Sequence, residues 1–226
     1  MPRTLLAIAV TILVACSSAL LSAELDINFR QLSEQMRERF SEDRVAVILR
    51  WQELLEEIAP LSEQEQLVQV NDFFHRNVRY QLDEHLYGVE DYWATPLETL
   101  GHGRGDCEDW AIAKYISLRR LGIPDEKLRL IYVRAQIGGP RSPISQAHMV
   151  LGYYETPSAE PLILDSLISN VLPASERTDL SPVFSFNADG LWMGQGPAPA
   201  AGSPTARLSH WRDVLERMQR EGIRIQ

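Results

Sequence analysis

Apolar residues recur at helical spacing through the first third of the chain. Ile27, Phe29, Leu32, Met36 and Phe40 predict a helix over 27–40, and Val47, Ile48, Trp51, Leu54, Leu55 and Ile58 a second over 45–58. Pro60 stops the second helix. Ser62 followed by Glu65 has the spacing of a capping box, opening a third helix that runs to residue 77 with Leu67, Val68, Val70, Phe73 and Phe74 on its core face. These stripes are read as packing surfaces and carry no chemistry.

Residues 80–100 break the period and read as irregular, with Tyr87, Tyr92 and Trp93 among them. Helical spacing resumes at Cys107, with Ala111, Tyr115 and Leu118 on one face, and Gly122 and Pro124 end it. The texture then changes to short runs rich in Val, Ile, Leu and Tyr. Residues 128–136, 147–155 and 161–167 predict strands in an antiparallel meander, with a loop at 138–143. A long loop over 187–206 precedes a closing helix over 206–221, carried by Leu208, Trp211, Leu215 and Met218. Helices first and strands second predict an α+β fold, a helical lobe packed against an antiparallel sheet.

The chain has 226 residues, 45% of them hydrophobic, enough for one domain with a substantial core. Its formal net charge of −9 argues against a nucleic-acid partner, whose binding calls for a basic patch. The N-terminus reads as an export signal: Arg3, then an apolar run over 5–15 interrupted only by Thr11, too short to span a bilayer. Three readings follow. Cleavage near Ser22 and Ala23 makes a signal of residues 1–23 and a single soluble domain of 24–226. Leu13-Val14-Ala15-Cys16 resembles a lipoprotein box, which would place a lipid anchor at Cys16. An uncleaved anchor is the third. Each puts the mature domain outside the cytosol, in a periplasm, where Cys107 has no internal disulfide partner once Cys16 belongs to the signal.

The run Gly105-Asp106-Cys107-Glu108-Asp109-Trp110 carries the candidate chemistry. With Asp106 as N-cap, Cys107 is the first helical residue, where the positive end of the helix favours a thiolate and free backbone N–H groups can receive an oxyanion. Asp106, Glu108 and Asp109 oppose this, because like charge beside a thiol disfavours its ionisation. Acids at a helix start complement the dipole, which accounts for one or two of them. Three around a nucleophile invite a hard cation held by oxygen ligands, although the spacing is not that of an EF-hand. Downstream, His148 lies in a strand-like run and Asp165 ends another. Alone, His148 reads as a histidine hydrogen-bonded at a sheet edge and Asp165 as a turn former. In the order thiol, imidazole, carboxylate they read as nucleophile, base and orienting acid.

Gly-Asp-Cys-Glu-Asp, then Ala147-His148-Met149-Val150, then Leu164-Asp165 resembles the bacterial transglutaminase-like cysteine proteinases of the LapG type. Trp93, Thr95, Pro96 and Glu98 upstream fit as well, as does Ala111-Ile112-Ala113-Lys114-Tyr115 after the cysteine. The likeness is good over 73–165 and looser in the flanks; a Cys-His-Asp order by itself is shared by many papain-like enzymes. The resemblance implies a papain/transglutaminase-like fold with Cys107 as nucleophile, His148 as base and Asp165 as orienter. It implies calcium held at Asp106, Glu108 and Asp109. It implies a substrate in the N-terminal region of a large repeat-containing, LapA-like biofilm adhesin, cut at a pair of small residues. It implies sequestration by a LapD-type inner-membrane receptor that senses cyclic di-GMP. The lipobox-like segment departs from a freely soluble member. Transglutamination or cell-wall peptide hydrolysis on the same scaffold, and a non-catalytic binding module, are the alternatives.

Overall fold

The computed structural model describes residues 25–139, 141–194, 199–200 and 202–225. The readings of the export segment, its 1–23 boundary and the Cys16 anchor lie outside the described residues. In chain order the elements are β1 (Leu25–Ile27), α1 (Phe29–Arg39), α2 (Glu42–Ile58), α3 (Glu63–Asn77), β2 (Arg79–Tyr80), α4 (Asp83–Leu86), α5 (Pro96–His102), β3 (Arg104–Gly105) and α6 (Cys107–Arg120). There follow β4 (Leu128–Gln136), β5 (Ser145–Tyr153), β6 (Leu162–Leu164), β7 (Leu172–Pro173), β8 (Leu180–Phe186), β9 (Leu191–Met193), α7 (Pro204–Arg207), α8 (Ser209–Glu221) and β10 (Ile223–Ile225).

The helical half forms much as its periodicity predicts. The capping box at α3 is present: Glu65 N–H donates to Ser62 Oγ (3.3 Å) and Ser62 N–H to Glu65 Oε2 (3.0 Å). Leu32, Met36, Ile48, Trp51, Leu67 and Phe74 are fully buried and meet the inner face of the sheet through α6. α6 lies at the centre of the molecule, buried on all sides from Ala111 to Arg119. A helix enclosed in this way shows little amphipathic contrast, so its position follows from its neighbours.

The sheet runs β7-β6-β5-β4-β8-β9, antiparallel at every pairing. β4, β5 and β6 form the expected meander. Alternation divides their side chains between two faces: Leu128, Leu130, Met149, Leu151 and Leu164 join the helical core, while Ile131, Val133, Val150 and Ile163 form a smaller cluster on the outer face.

Several boundaries differ from the sequence reading. The stretch 80–100 contains α4 and the start of α5, because Thr95 caps α5 with Pro96 at its first position and Glu98 completing a capping box. The loop over 187–206 contains β9 and most of α7, and the closing helix starts at Ser209. The first helix starts at Phe29, since residues up to Ile27 instead pair as β1 with β10, Leu25 opposite Ile225. Local periodicity cannot report a pairing between the two ends of a chain.

Candidate active site

Cys107 stands where the sequence placed it, at the first position of α6 behind Asp106 as N-cap. The local sequence explains the turn. Gly103 ends α5 with φ +62°, a left-handed conformation that suits glycine. The chain then runs parallel to β2, with Gly105 beside Tyr80. A Cβ at Gly105 would stand 2.6 Å from Asp109 Oδ2, so a side chain there would displace the carboxylate that organises the turn. Asp109 is fully buried, and its two oxygens accept the N–H groups of Ala94 (2.7 Å) and Asp106 (3.3 Å). The upstream motif residues thereby gain a structural meaning. Thr95 and Glu98 cap α5, Ala94 anchors Asp109, and Trp93 stacks on Phe186 in the core.

The Cys107 thiol donates to Glu108 Oε2 at 2.9 Å, and the backbone amide of Met149 hydrogen-bonds to the sulfur. Burial first, then the Glu108 carboxylate and Asp106, push the thiol well above its ordinary range, and the Met149 amide opposes them only in part. Met149 is the neighbour of His148 on β5, which is how the helix N-terminus meets the strand.

His148 is buried on an inner strand of the sheet and donates from Nε2 to Asp165 Oδ1 at 2.7 Å. Nδ1 is left as the ring nitrogen for a second partner. Asp165 follows directly after β6 and is held from every side. Leu167 N–H donates to Oδ1 (3.0 Å), Arg177 Nη2 to Oδ2 (2.7 Å), and Lys114 Nζ and His75 Nε2 lie 2.8 and 3.0 Å from its carbonyl oxygen. Burial would raise the Asp165 carboxyl, but the His148 bond and charge, the Leu167 amide and Arg177 outweigh it and hold the group well below the usual carboxylate range. It is therefore a permanent anion behind the imidazole.

A second constellation adjoins the thiol. Ligand atoms of Asp83, Asp106 and Asp109 lie within 4.8 Å of one another, as do those of Asp106, Cys107 and Glu108, and those of Asp83, Asp91 and Glu108. Asp83 Oδ2 accepts Tyr92 N–H at 2.6 Å, but Asp83 Oδ1 and Asp106 Oδ1 are buried without a hydrogen-bond partner. Burial, with added repulsion from Asp91, pushes Asp83 up to about 6. Burial and mutual repulsion also raise Asp106, Glu108 and Asp109. Buried carboxylates without partners are costly, and an oxygen-only cluster with orphaned acceptors fits a hard divalent cation.

The sequence reading names Cys107, His148, Asp165, Asp106, Glu108 and Asp109, and the structure brings all six to one end of α6 and the adjoining strands. It misses Asp83, Asp91, Lys114 and Arg177. Asp83 and Asp91, two of the five acids in the stretch 80–100, and a lysine amid the apolar residues of α6 are weak signals for the first three. Arg177 reaches Asp165 from a loop and carries no local signature.

A family model described as bacterial transglutaminase-like cysteine proteinase BTLCP matches residues 54–180. Among solved structures, Legionella pneumophila LapG is 37% identical with a TM-score of 0.70, over 85% of this chain and 98% of that one. The EGTA-treated form of the same protein matches with a TM-score of 0.73, and the calcium-bound form with 0.72, both at 37% identity. Among curated proteins no match is found.

Proposed function

Because the chain belongs to the bacterial transglutaminase-like cysteine proteinases, we propose that it is a calcium-dependent endopeptidase with Cys107, His148 and Asp165 as its triad. The observation that carries this reading is the 2.7 Å bond between a buried, anionic Asp165 and His148, which is the neighbour on β5 of the cysteine's contact, Met149.

Cys107 passes its proton to His148 Nδ1, and the sulfur attacks the scissile carbonyl carbon. Backbone N–H groups at the start of α6 receive the oxyanion. The imidazolium, held by Asp165 Oδ1, then protonates the leaving amine as the C–N bond breaks. His148 takes a proton from water, and the hydroxide cleaves the thioester, returning Cys107 to its starting state. Arg177 and the Leu167 amide keep Asp165 in register through both halves.

Asp83, Asp106, Glu108 and Asp109 would hold the calcium, with Asp109 also shaping the turn through the N–H groups of Ala94 and Asp106. Held there, the ion would supply positive charge near the thiol, offsetting the carboxylates that disfavour the thiolate. Orphaned Oδ1 atoms on Asp83 and Asp106 support this, as does the calcium-bound form of LapG among the similar structures.

The substrate in this reading is the N-terminal region of a large, repeat-containing surface adhesin, cut between small residues to release it and disperse the biofilm. The regulator is a LapD-type inner-membrane receptor that sequesters the protease in response to cyclic di-GMP. The site of action is the periplasm, with the protein either soluble or tethered through Cys16. The likeness to LapG and the export-like N-terminus support these assignments. Incubating the protein with the N-terminal fragment of a surface adhesin from the same cell, with calcium or with EGTA, tests them by sequencing the new N-terminus. A single cut seen only with calcium supports the reading. An uncut adhesin alongside amide exchange onto an added amine would instead favour transglutamination.

A further inference from the structure

The outer face of the sheet carries a cavity of about 410 Å³, on the side away from the helices. Its floor is apolar, formed by Ile131, Val133, Val150 and Ile163. Two buried guanidinium groups stand in its wall. Arg129 is 5% exposed and lies 4.1 Å from the Trp192 ring centroid and 4.4 Å from that of Tyr154. Arg177 is 3% exposed.

The two differ in how their charge is met. Arg177 pairs with Asp165 and Asp179, yet its Nη1 is buried with no hydrogen-bond partner. Arg129 makes no ion pair with a carboxylate among the described residues; it donates to the Tyr154 hydroxyl, Nη2 reaches Pro157 O at 3.4 Å, and Nε is buried without a partner. A buried cation lacking an anion is expensive, and aromatic faces compensate it only in part. Arg129 is also held against the Tyr154 and Trp192 rings, which limits the freedom of its fork before binding.

We propose that this cavity binds a small monocarboxylate with an apolar body. The carboxylate meets Arg129 and the free Arg177 N–H, and the hydrocarbon covers Ile131, Val150 and Ile163. A single charge is favoured because Arg177 is already balanced and Glu160 stands at the cavity, its own carboxylate engaged by Ser175 N–H. The volume suits a ligand of small-molecule size. This inference does not depend on the protease reading.

Octanoate is the probe, measured by isothermal titration against the full mature chain, with 1-octanol as the uncharged control. One octanoate should bind per chain. Octanol should bind at least about tenfold more weakly, a difference of about 1.4 kcal/mol. Arg129→Gln should weaken octanoate by a similar factor. Ile163→Trp, which fills the cavity and leaves both arginines in place, should abolish binding; it also decides the matter if Arg129→Gln folds poorly. No octanoate binding to the wild type, or binding equal in the wild type and Ile163→Trp, would overturn the proposal.

Discussion

His148 on β5 meets Asp165, which follows the end of the neighbouring strand β6, with Nε2 of the imidazole 2.7 Å from Oδ1 of a carboxylate that is itself 1% exposed. Since Nε2 is committed, the tautomer that accepts a proton at Nδ1 is fixed. Asp165→Asn keeps the shape but lets the imidazole settle in the other tautomer. We expect kcat to fall by about 10³–10⁴-fold with KM little changed, measured on a peptide spanning the cut site. A loss confined to KM would contradict the assignment.

Arg177 is the buried cation between Asp165 and Asp179. Arg177→Met leaves Asp165 short of a partner in the interior. Breaking a buried pair from one side costs about 3–5 kcal/mol, which urea unfolding would register. Asp179 is 38% exposed at its side chain, so Asp179→Asn should cost about 1 kcal/mol or less. Equal losses in the two variants would show that Asp165 does not need Arg177.

Asp83 is the proposed calcium ligand that local sequence does not point to. Asp83→Asn preserves an acceptor for Tyr92 N–H while removing one negative charge from the cluster. Calcium affinity, followed by isothermal titration, should drop by at least about tenfold, equivalent to about 1.4 kcal/mol. Unchanged affinity would remove Asp83 from the site.

Lys114 is fully buried, with Nζ donating to Asp165 O and lying 5.1 Å from the Trp110 ring centroid. Burial, opposed only in part by Asp165, lowers it to about 7. An unfolded lysine titrates near 10.4, so between these values the unfolded chain binds the extra proton. Stability from this group is therefore complete above about pH 10.4, and is lost as pH falls through about 7. Comparing wild type with Lys114→Met by urea unfolding from pH 7 to 10 isolates that slope. The wild type should gain stability relative to the variant as pH rises; parallel curves would show that Lys114 stays charged.

Much of this was legible along the chain, for local reasons. The capping box at Ser62 and Glu65, the N-terminal position of Cys107 and the pairing partners β4 and β5 follow from spacing within a few residues. What escaped depends on distant contacts. Residues 180–186 carry Pro182, which argues against a strand, yet β8 forms because Pro182 lies opposite Val133, beyond the reach of β9 on its other side. β1 is three residues long and exists only by pairing with β10. The candidate site divides in the same way. The acids flanking Cys107 are neighbours in sequence, while Asp83 opens the short helix α4 and Asp91 and Arg177 come from loops, all placed by the finished fold.

The central claim is that the acidic cluster and the thiol form one unit, with a cation releasing a nucleophile that burial and Glu108 otherwise suppress. The rate at which iodoacetamide alkylates Cys107 at pH 7, read by mass spectrometry, tests this directly. Calcium should raise the rate over that in EGTA by at least about tenfold, through a lowered thiol pKa, and magnesium should do so far less. Equal rates in calcium and EGTA would contradict the account.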